Sequence, residues 1–322
     1  MTTDTLNALA QQALDAWGGP GKAPRLVSHR ENAVFEAHLK DGTQAALRLH
    51  RPGYNSVAEI QSELWWTHAL AEQGFPAPKP IPSKSGDLLV QLGGNQVATV
   101  ISWVDGAPIG ATNDRLAGSL SDQIVLYRQV GDLLARLHTQ SDALELPQTF
   151  TRRNWNADGF LGDKPLWGEF WLNPALTSDE VELVQSARTK AQDDLKAYEA
   201  EGADTGLIHA DALRENVFQT EHGLTLIDFD DAGYGFRLFD LTTALSQSIE
   251  DDNYTALMDA VFEGYGKLRP LGSKDTSRVS LFAMLRTFAS LGWVVPRLPA
   301  DHPGISRYVR RATTAAHTYL NG

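Results

Sequence analysis

The stretch from 206 to 241, GLIHADALRENVFQTEHGLTLIDFDDAGYGFRLFDL, constrains this chain more than any other. Two short apolar runs, Leu207 to His209 and Val217 to Gln219, bracket a polar loop, and a third, Leu224 to Asp228, ends in acid. Read as strands, they gather three acceptor groups, Asp211, Asn216 and Asp228. A carboxylate to take a proton from an attacking hydroxyl, with an amide and a second carboxylate to hold Mg²⁺ against phosphates, is the set phosphoryl transfer needs. His209 to Asn216 is one compact turn, so base and one metal ligand share a rigid loop.

Composition narrows the partners. The 322 residues carry 28 basic and 40 acidic side chains, a net charge of −12. A general nucleic-acid surface is therefore not expected, and an anionic membrane would repel the protein. ATP remains possible, because it needs only a few local cations and Mg²⁺. With no cysteine, disulfides, thiolate zinc sites and a cysteine nucleophile are excluded. MTTDTLNALAQQ lacks the pattern of a signal peptide and no apolar run reaches spanning length, so a cytoplasmic protein is expected. Leu281 to Val295 is interrupted by Arg286, which reads as a buried helix.

Along the chain, Leu6, Leu9, Ala10, Ala13, Leu14 and Trp17 repeat at helical spacing and stop at Gly18-Gly19. Ala33 to Leu39 and Thr43 to His50 alternate around Asp41-Gly42, a hairpin signal. Ser56 and Glu59 form a capping box for a helix through about Glu72. Asp87 to Leu92 and Gln96 to Ser102 make a second hairpin, giving an antiparallel sheet of about five strands. Pro76 to Pro82 is a linker. Beyond Ser102 the chain is mainly helical, with helices from Leu120 to His138, Ser178 to Glu199, Leu238 to Ile249, Asn253 to Leu268, Thr276 to Val294 and Ile305 to Leu320. The fold class is α+β. The tryptophans Trp155, Trp167 and Trp171, with Phe160 and Phe170, either wall a pocket or anchor a long loop, and anchoring is favoured.

HADALREN followed by IDFDD resembles the catalytic loop and metal segment of the aminoglycoside phosphotransferase and choline kinase family, relatives of the protein kinases. ENAVFEAHL and RLHRPGY resemble its homoserine-kinase-like and stress response kinase A groups, over residues 24 to 295. The resemblance implies a bilobal, protein-kinase-like fold: a nucleotide-covering lobe at 1–102, a hinge at 103–108 and a helical lobe at 109–322, with a crevice between them. It implies that Asp211 is the base, that Asn216 and Asp228 hold Mg²⁺ with Asp230 as an accessory ligand, and that Asp240 in RLFDL braces the loop. His209 would hold the loop through its ring N–H. Arg214 would supply positive charge near the transferring phosphoryl group, since Leu213 stands where protein kinases have a lysine. Arg48 occupies the place of the family's phosphate-binding lysine and Glu63 its helical partner. Ser28 or Asn32 would lie in the loop over the phosphates, and Ser102, Trp103 and Val104 in the hinge that meets adenine.

What this implies is transfer of the γ-phosphoryl group of ATP to the hydroxyl of a small molecule, such as a homoserine-like amino alcohol or an aminoglycoside, with the negative charge favouring a cationic acceptor. Two alternatives stand beside it: a protein serine/threonine kinase of the stress response type, and a nucleotide-binding scaffold that has lost catalysis. A hydrolytic metal centre on His209, Asp211 and Asp228 fits poorly, because the nine histidines are scattered.

Overall fold

The computed structural model describes residues 2–112, 114–299 and 301–322. It divides the chain into two compact units, one of residues 1–107, 144–152 and 218–230, the other of 108–143, 153–217 and 231–322. Two later segments thus return to the first unit, which a division into consecutive stretches does not express.

In the first unit, helix α1 (Thr3–Leu14) precedes strands β1 (Pro20–His29), β2 (Ala33–Leu39) and β3 (Gln44–His50). Helix α2 (Val57–Glu72) and strands β4 (Leu89–Leu92) and β5 (Gln96–Ser102) follow. The sheet is antiparallel in the order β1-β2-β3-β5-β4. Because side chains alternate along a strand, Phe35, Ala37, Leu47, Leu49, Ala98 and Val100 share one face, where Leu6, Ala10, Ala13, Leu14 and Trp17 cover them. Val97 lies on the other face, in a second small core with Ile60 and Leu64 of α2. Central β3 is therefore covered on both sides, and its charged member Arg48 is 5% exposed. The returning hairpin of β9 (Val217–Thr220) and β10 (Gly223–Leu226) is tied down by the Leu226 amide, which donates to the Pro76 carbonyl at 3.0 Å.

Strand β1 was not expected. The sequence signals pass from Gly18-Gly19 to a first strand at Ala33, but β1 is an edge strand with much of its length exposed, where proline's missing N–H does not break a ladder.

The second unit follows β6 (Ala107–Pro108) with helices α3 (Leu120–Asp142), α4 (Ala157–Leu161), α5 (Ser178–Ala200), α6 (Arg237–Leu245), α7 (Tyr254–Gly266), α8 (Ser273–Thr276), α9 (Val279–Trp293) and α10 (Ile305–Asn321). A small sheet sets β11 (Gly233–Phe236) parallel to β7 (Asn154–Trp155) and antiparallel to β8 (Thr205–Ile208). Helices α3 and α7 meet backbone to backbone. A Cβ on Gly131 would fall 2.0 Å from the Val261 carbonyl oxygen, and one on Gly264 1.9 Å from that of Arg128. No side chain fits either contact.

The tryptophan segment anchors itself by packing. Fully buried Trp155 stacks on Phe239 at 5.6 Å and meets Trp167 edge-on at 5.2 Å, while Phe170 stacks on Phe288 at 4.5 Å. Among the described residues no helix is long and apolar enough to cross a membrane.

Candidate active site

Strand β8 delivers the chain to His209 and Ala210, and Ala210 takes a left-handed φ of 65°. For a residue with a Cβ that conformation is unfavourable by about 1–2 kcal/mol and must be held by its surroundings. Asp240, fully buried in the first turn of α6, does this. Its two oxygens accept the amides of His209 at 2.7 Å and Ala210 at 2.6 Å. The brace expected of Asp240 is present, and its chemistry extends further back.

His138 on α3 places Nε2 3.0 Å from the same carboxylate and Nδ1 2.9 Å from the Tyr265 hydroxyl. A carboxylate only accepts, so Nε2 carries the proton and Nδ1 accepts from tyrosine. Burial pushes the His138 imidazole below its usual value, against the pull of Asp240. Burial alone would raise the Asp240 carboxyl, but the His138 hydrogen bond, the histidine charges and the His209 amide hold it below its usual value.

Downstream, the Asp211 amide donates to His209 Nδ1 at 3.2 Å. At this contact His209 Nδ1 is an acceptor, which leaves the ring N–H on Nε2. Asn216 closes the loop, its Nδ2 donating to the Asp211 carbonyl at 2.8 Å and to Asp211 Oδ2 at 3.0 Å. Its Oδ1 is the atom suited to a hard cation. Asp211 Oδ1 accepts from Arg286 Nη2 at 2.9 Å. The Asp211 side chain is 20% exposed, while the groups behind it are buried.

Arg214 does not take the expected place. It is 2% exposed, and its guanidinium donates to the Tyr127 hydroxyl at 3.0 Å, the Asp114 carbonyl at 3.0 Å and the Ser248 hydroxyl. Its own amide donates to Gln247 at 3.0 Å. The side chain ties the loop's rear to helical neighbours, and its charge is spent there.

In the first unit, Arg48 Nη1 donates to Glu63 Oε1 at 2.6 Å and Nη2 to Asp230 Oδ1 at 3.1 Å, with Asp228 Oδ1 3.7 Å away. The Arg48–Glu63 pair expected from the sequence is there, joined by a second carboxylate. A planar fork can serve both acids where a lysine's single ammonium nitrogen could not hold the same geometry. Arg152 braces the segment, donating to the carbonyls of Glu59, Phe229 and Asp230 at 2.9, 2.9 and 2.7 Å.

Asp230 and Asp228 differ sharply in exposure. Asp230 is 4% exposed, and its Oδ1 also accepts from Asn55 at 3.0 Å. Burial would raise its carboxyl, but Arg48, His50 and Arg152 hold it below its usual value. One carboxylate oxygen is thus engaged by Arg48 and Asn55, while Oδ2 is buried with no hydrogen-bond partner among the described residues. Asp228, by contrast, has a side chain 51% exposed and a left-handed φ of 65°, the open carboxylate a cation requires.

Two cofactor expectations also shift. Asn32 turns its side-chain oxygen to the Arg51 amide at 3.0 Å, so that atom serves the fold and not a phosphate. Ser102 exchanges hydrogen bonds with Lys79, its amide donating to the Lys79 carbonyl at 2.8 Å and its hydroxyl accepting the Lys79 amide at 2.9 Å. Trp103 and Val104 directly follow β5. Ser28 lies within β1, paired with Val34 of β2.

Asp231 and Arg286 were not singled out as site residues. Asp231, in the second unit, accepts from Arg153 at 2.6 Å and Trp167 Nε1 at 3.2 Å. In the sequence it is one of three acids in IDFDD, and spacing alone does not say which faces what. Arg286 left a trace, a single cation inside an apolar helix.

With this geometry in place, comparison with known proteins is decisive for kinship. Residues 22–281 match the model of the phosphotransferase enzyme family. The chain belongs to that family. A homoserine kinase of Agrobacterium fabrum is 28% identical over 66% of this chain and 62% of its own length. A homoserine kinase of Sinorhizobium medicae is 30% identical over 79% of this chain and 72% of its own. The chain thus spans somewhat less than two thirds of the first of these relatives. A solved microcompartment-associated aminopropanol kinase superposes with a TM-score of 0.81 at 28% identity, covering 98% of this chain and 97% of the other. The fold is protein-kinase-like and α+β, as the sequence led us to expect.

Proposed function

We propose that this phosphotransferase moves the γ-phosphoryl group of ATP to the hydroxyl of a small amino alcohol. The observation that carries the reading is the 209–216 loop. There a carboxylate with partial exposure is held from behind by buried Asp240 and His138 and from the side by half-buried Asn216. Such rigidity matters because reacting atoms must be placed to within a fraction of an ångström. The homoserine and aminopropanol kinases among its relatives support the acceptor class.

In this mechanism Asp211 accepts the proton of the acceptor hydroxyl as it attacks, a contribution of about 10² to 10⁴ in rate. Asn216 Oδ1 and the open carboxylate of Asp228 are oxygen donors of the kind Mg²⁺ takes, and we assign them as its ligands. Bound there with the nucleotide, Mg²⁺ supplies charge neutralisation of the phosphates. Arg48, held by Glu63 and Asp230, sets a cation beside Asp228. Backbone groups of Trp103 and Val104 meet the adenine.

The test is ADP release with MgATP and a panel of L-homoserine, 1-amino-2-propanol, choline, an aminoglycoside and a generic protein substrate. Turnover with an amino alcohol that Asp211→Asn abolishes supports the reading. Turnover only with protein, or none with any acceptor, refutes it.

A further inference from the structure

Arg286 sits in the middle of α9 and is 4% exposed. Its Nη2 donates to Asp211 Oδ1, and its guanidinium carbon lies 4.7 Å from the centre of the Trp167 ring. Its Nε and Nη1 are buried with no hydrogen-bond partner among the described residues. A buried cation with idle donors is unfavourable, and such groups call for an explanation. Helix packing does not supply one, since a methionine would fill the same space with no desolvation.

We infer that Arg286 is a positioning residue for the base: it holds Oδ1 of Asp211, stacked on Trp167, so that Oδ2 is the oxygen presented to the acceptor hydroxyl. The inference rests on the kinase reading above. Its geometry explains why the two carboxylate oxygens have different partners, Arg286 on one and the Asn216 amide on the other. Trp167 is itself fixed, its indole N–H donating to Asp231, which also takes Arg153. The chain from Asp231 through Trp167 and Arg286 ends on the base. It also places a cation beside Asp211 from a helix 75 residues downstream, while Arg214, the nearest arginine in the loop, is engaged elsewhere.

The experiment measures kcat and KM with MgATP and the best acceptor from the panel for Arg286→Met, Arg286→Lys, Asp211→Asn and the Asp211→Asn/Arg286→Met double variant, with thermal melts confirming folding. Arg286→Met should lower kcat about 100-fold, as for a small misplacement of a reacting group, with KM for ATP unchanged. Arg286→Lys, which keeps charge but loses the planar fork, should recover much of that loss. In the Asp211→Asn background, Arg286→Met should change the residual rate less than about twofold, because a residue that acts through Asp211 has nothing left to act on. An undiminished kcat in Arg286→Met, or the same 100-fold loss with Asp211 already replaced, overturns the inference alone. Should Arg286→Met not fold, Arg286→Gln takes its place, and an undiminished kcat in Arg286→Gln overturns the inference. A wild type that consumes no ATP with any acceptor removes the kinase reading and this inference together.

Discussion

Each unit holds a cluster of buried charge around one residue, Asp240 in one and Arg48 in the other, and the two are built on different terms. Around Asp240 every described polar contact is matched: two backbone amides and an imidazole N–H meet one carboxylate, and a tyrosine hydroxyl satisfies the far side of the ring. Around Arg48 the account is open. Glu63 Oε2, Asp230 Oδ2 and His50 Nδ1 are buried with no hydrogen-bond partner among the described residues. A satisfied network fixes one geometry, whereas one with spare acceptors can exchange partners at low cost. The contrast separates a part built to hold still, the loop carrying Asp211, from a part with acceptors to spare.

The largest effect should fall on Asp211. Asp211→Asn should reduce kcat by about 10² to 10⁴ with melting little changed, and a rate within threefold of wild type would remove the loop from the chemistry. Next comes the closed cluster. Asp240→Ala leaves two amides and His138 without their acceptor, and should destabilise the fold by about 3–5 kcal/mol, read as a shift of the urea midpoint. A loss below 1 kcal/mol would show that the brace is ornamental.

The open cluster should answer to pH. Burial first, then the Arg48 charge, hold the His50 imidazole down at about 3 in the fold, against 6.5 when free. Between these values the unfolded chain binds a proton the native state refuses, so the stability is full above 6.5 and falls as pH drops below it. From pH 7 to 5 this single group removes about 2 kcal/mol, and His50→Gln should lose correspondingly less over the same range in urea titrations. Equal losses in the two proteins would assign the acid sensitivity elsewhere. Smallest of all should be Arg48→Lys, about 1 kcal/mol of stability, because one of its two carboxylates can still be met. Its larger signature should be in KM for ATP, and a kcat loss without a KM change would count against Arg48 as a nucleotide-side residue.

Much of this was legible beforehand where local pattern and chemistry coincide. Hairpins at β2–β3 and β4–β5, the capping box before α2 and the Asp211–Asn216 turn follow from period and loop chemistry within a few residues. The Arg48–Glu63 pair and the Asp240 brace came from the resemblance. What stayed hidden depends on orientation or distance along the chain. Asp228, Asp230 and Asp231 stand within four residues, yet one is open to solvent, one is locked on arginine and one belongs to the second unit. Arg214 and Arg286 are both buried arginines, and only three-dimensional packing shows that the distant one touches Asp211. The edge strand β1 was hidden by its prolines.

The glycine pair on α3 and α7 has a reach beyond the spot where the helices touch. Gly131 lies two turns before His138 on one helix, and Gly264 adjoins Tyr265 on the other, so the absent methyl groups set the gap that the imidazole–phenol bond must span. Widening that gap by even one carbon would travel from histidine to aspartate to backbone and arrive as a misaimed carboxylate. A swap at either position would therefore strain the helix contact and disturb the aim of Asp211 together.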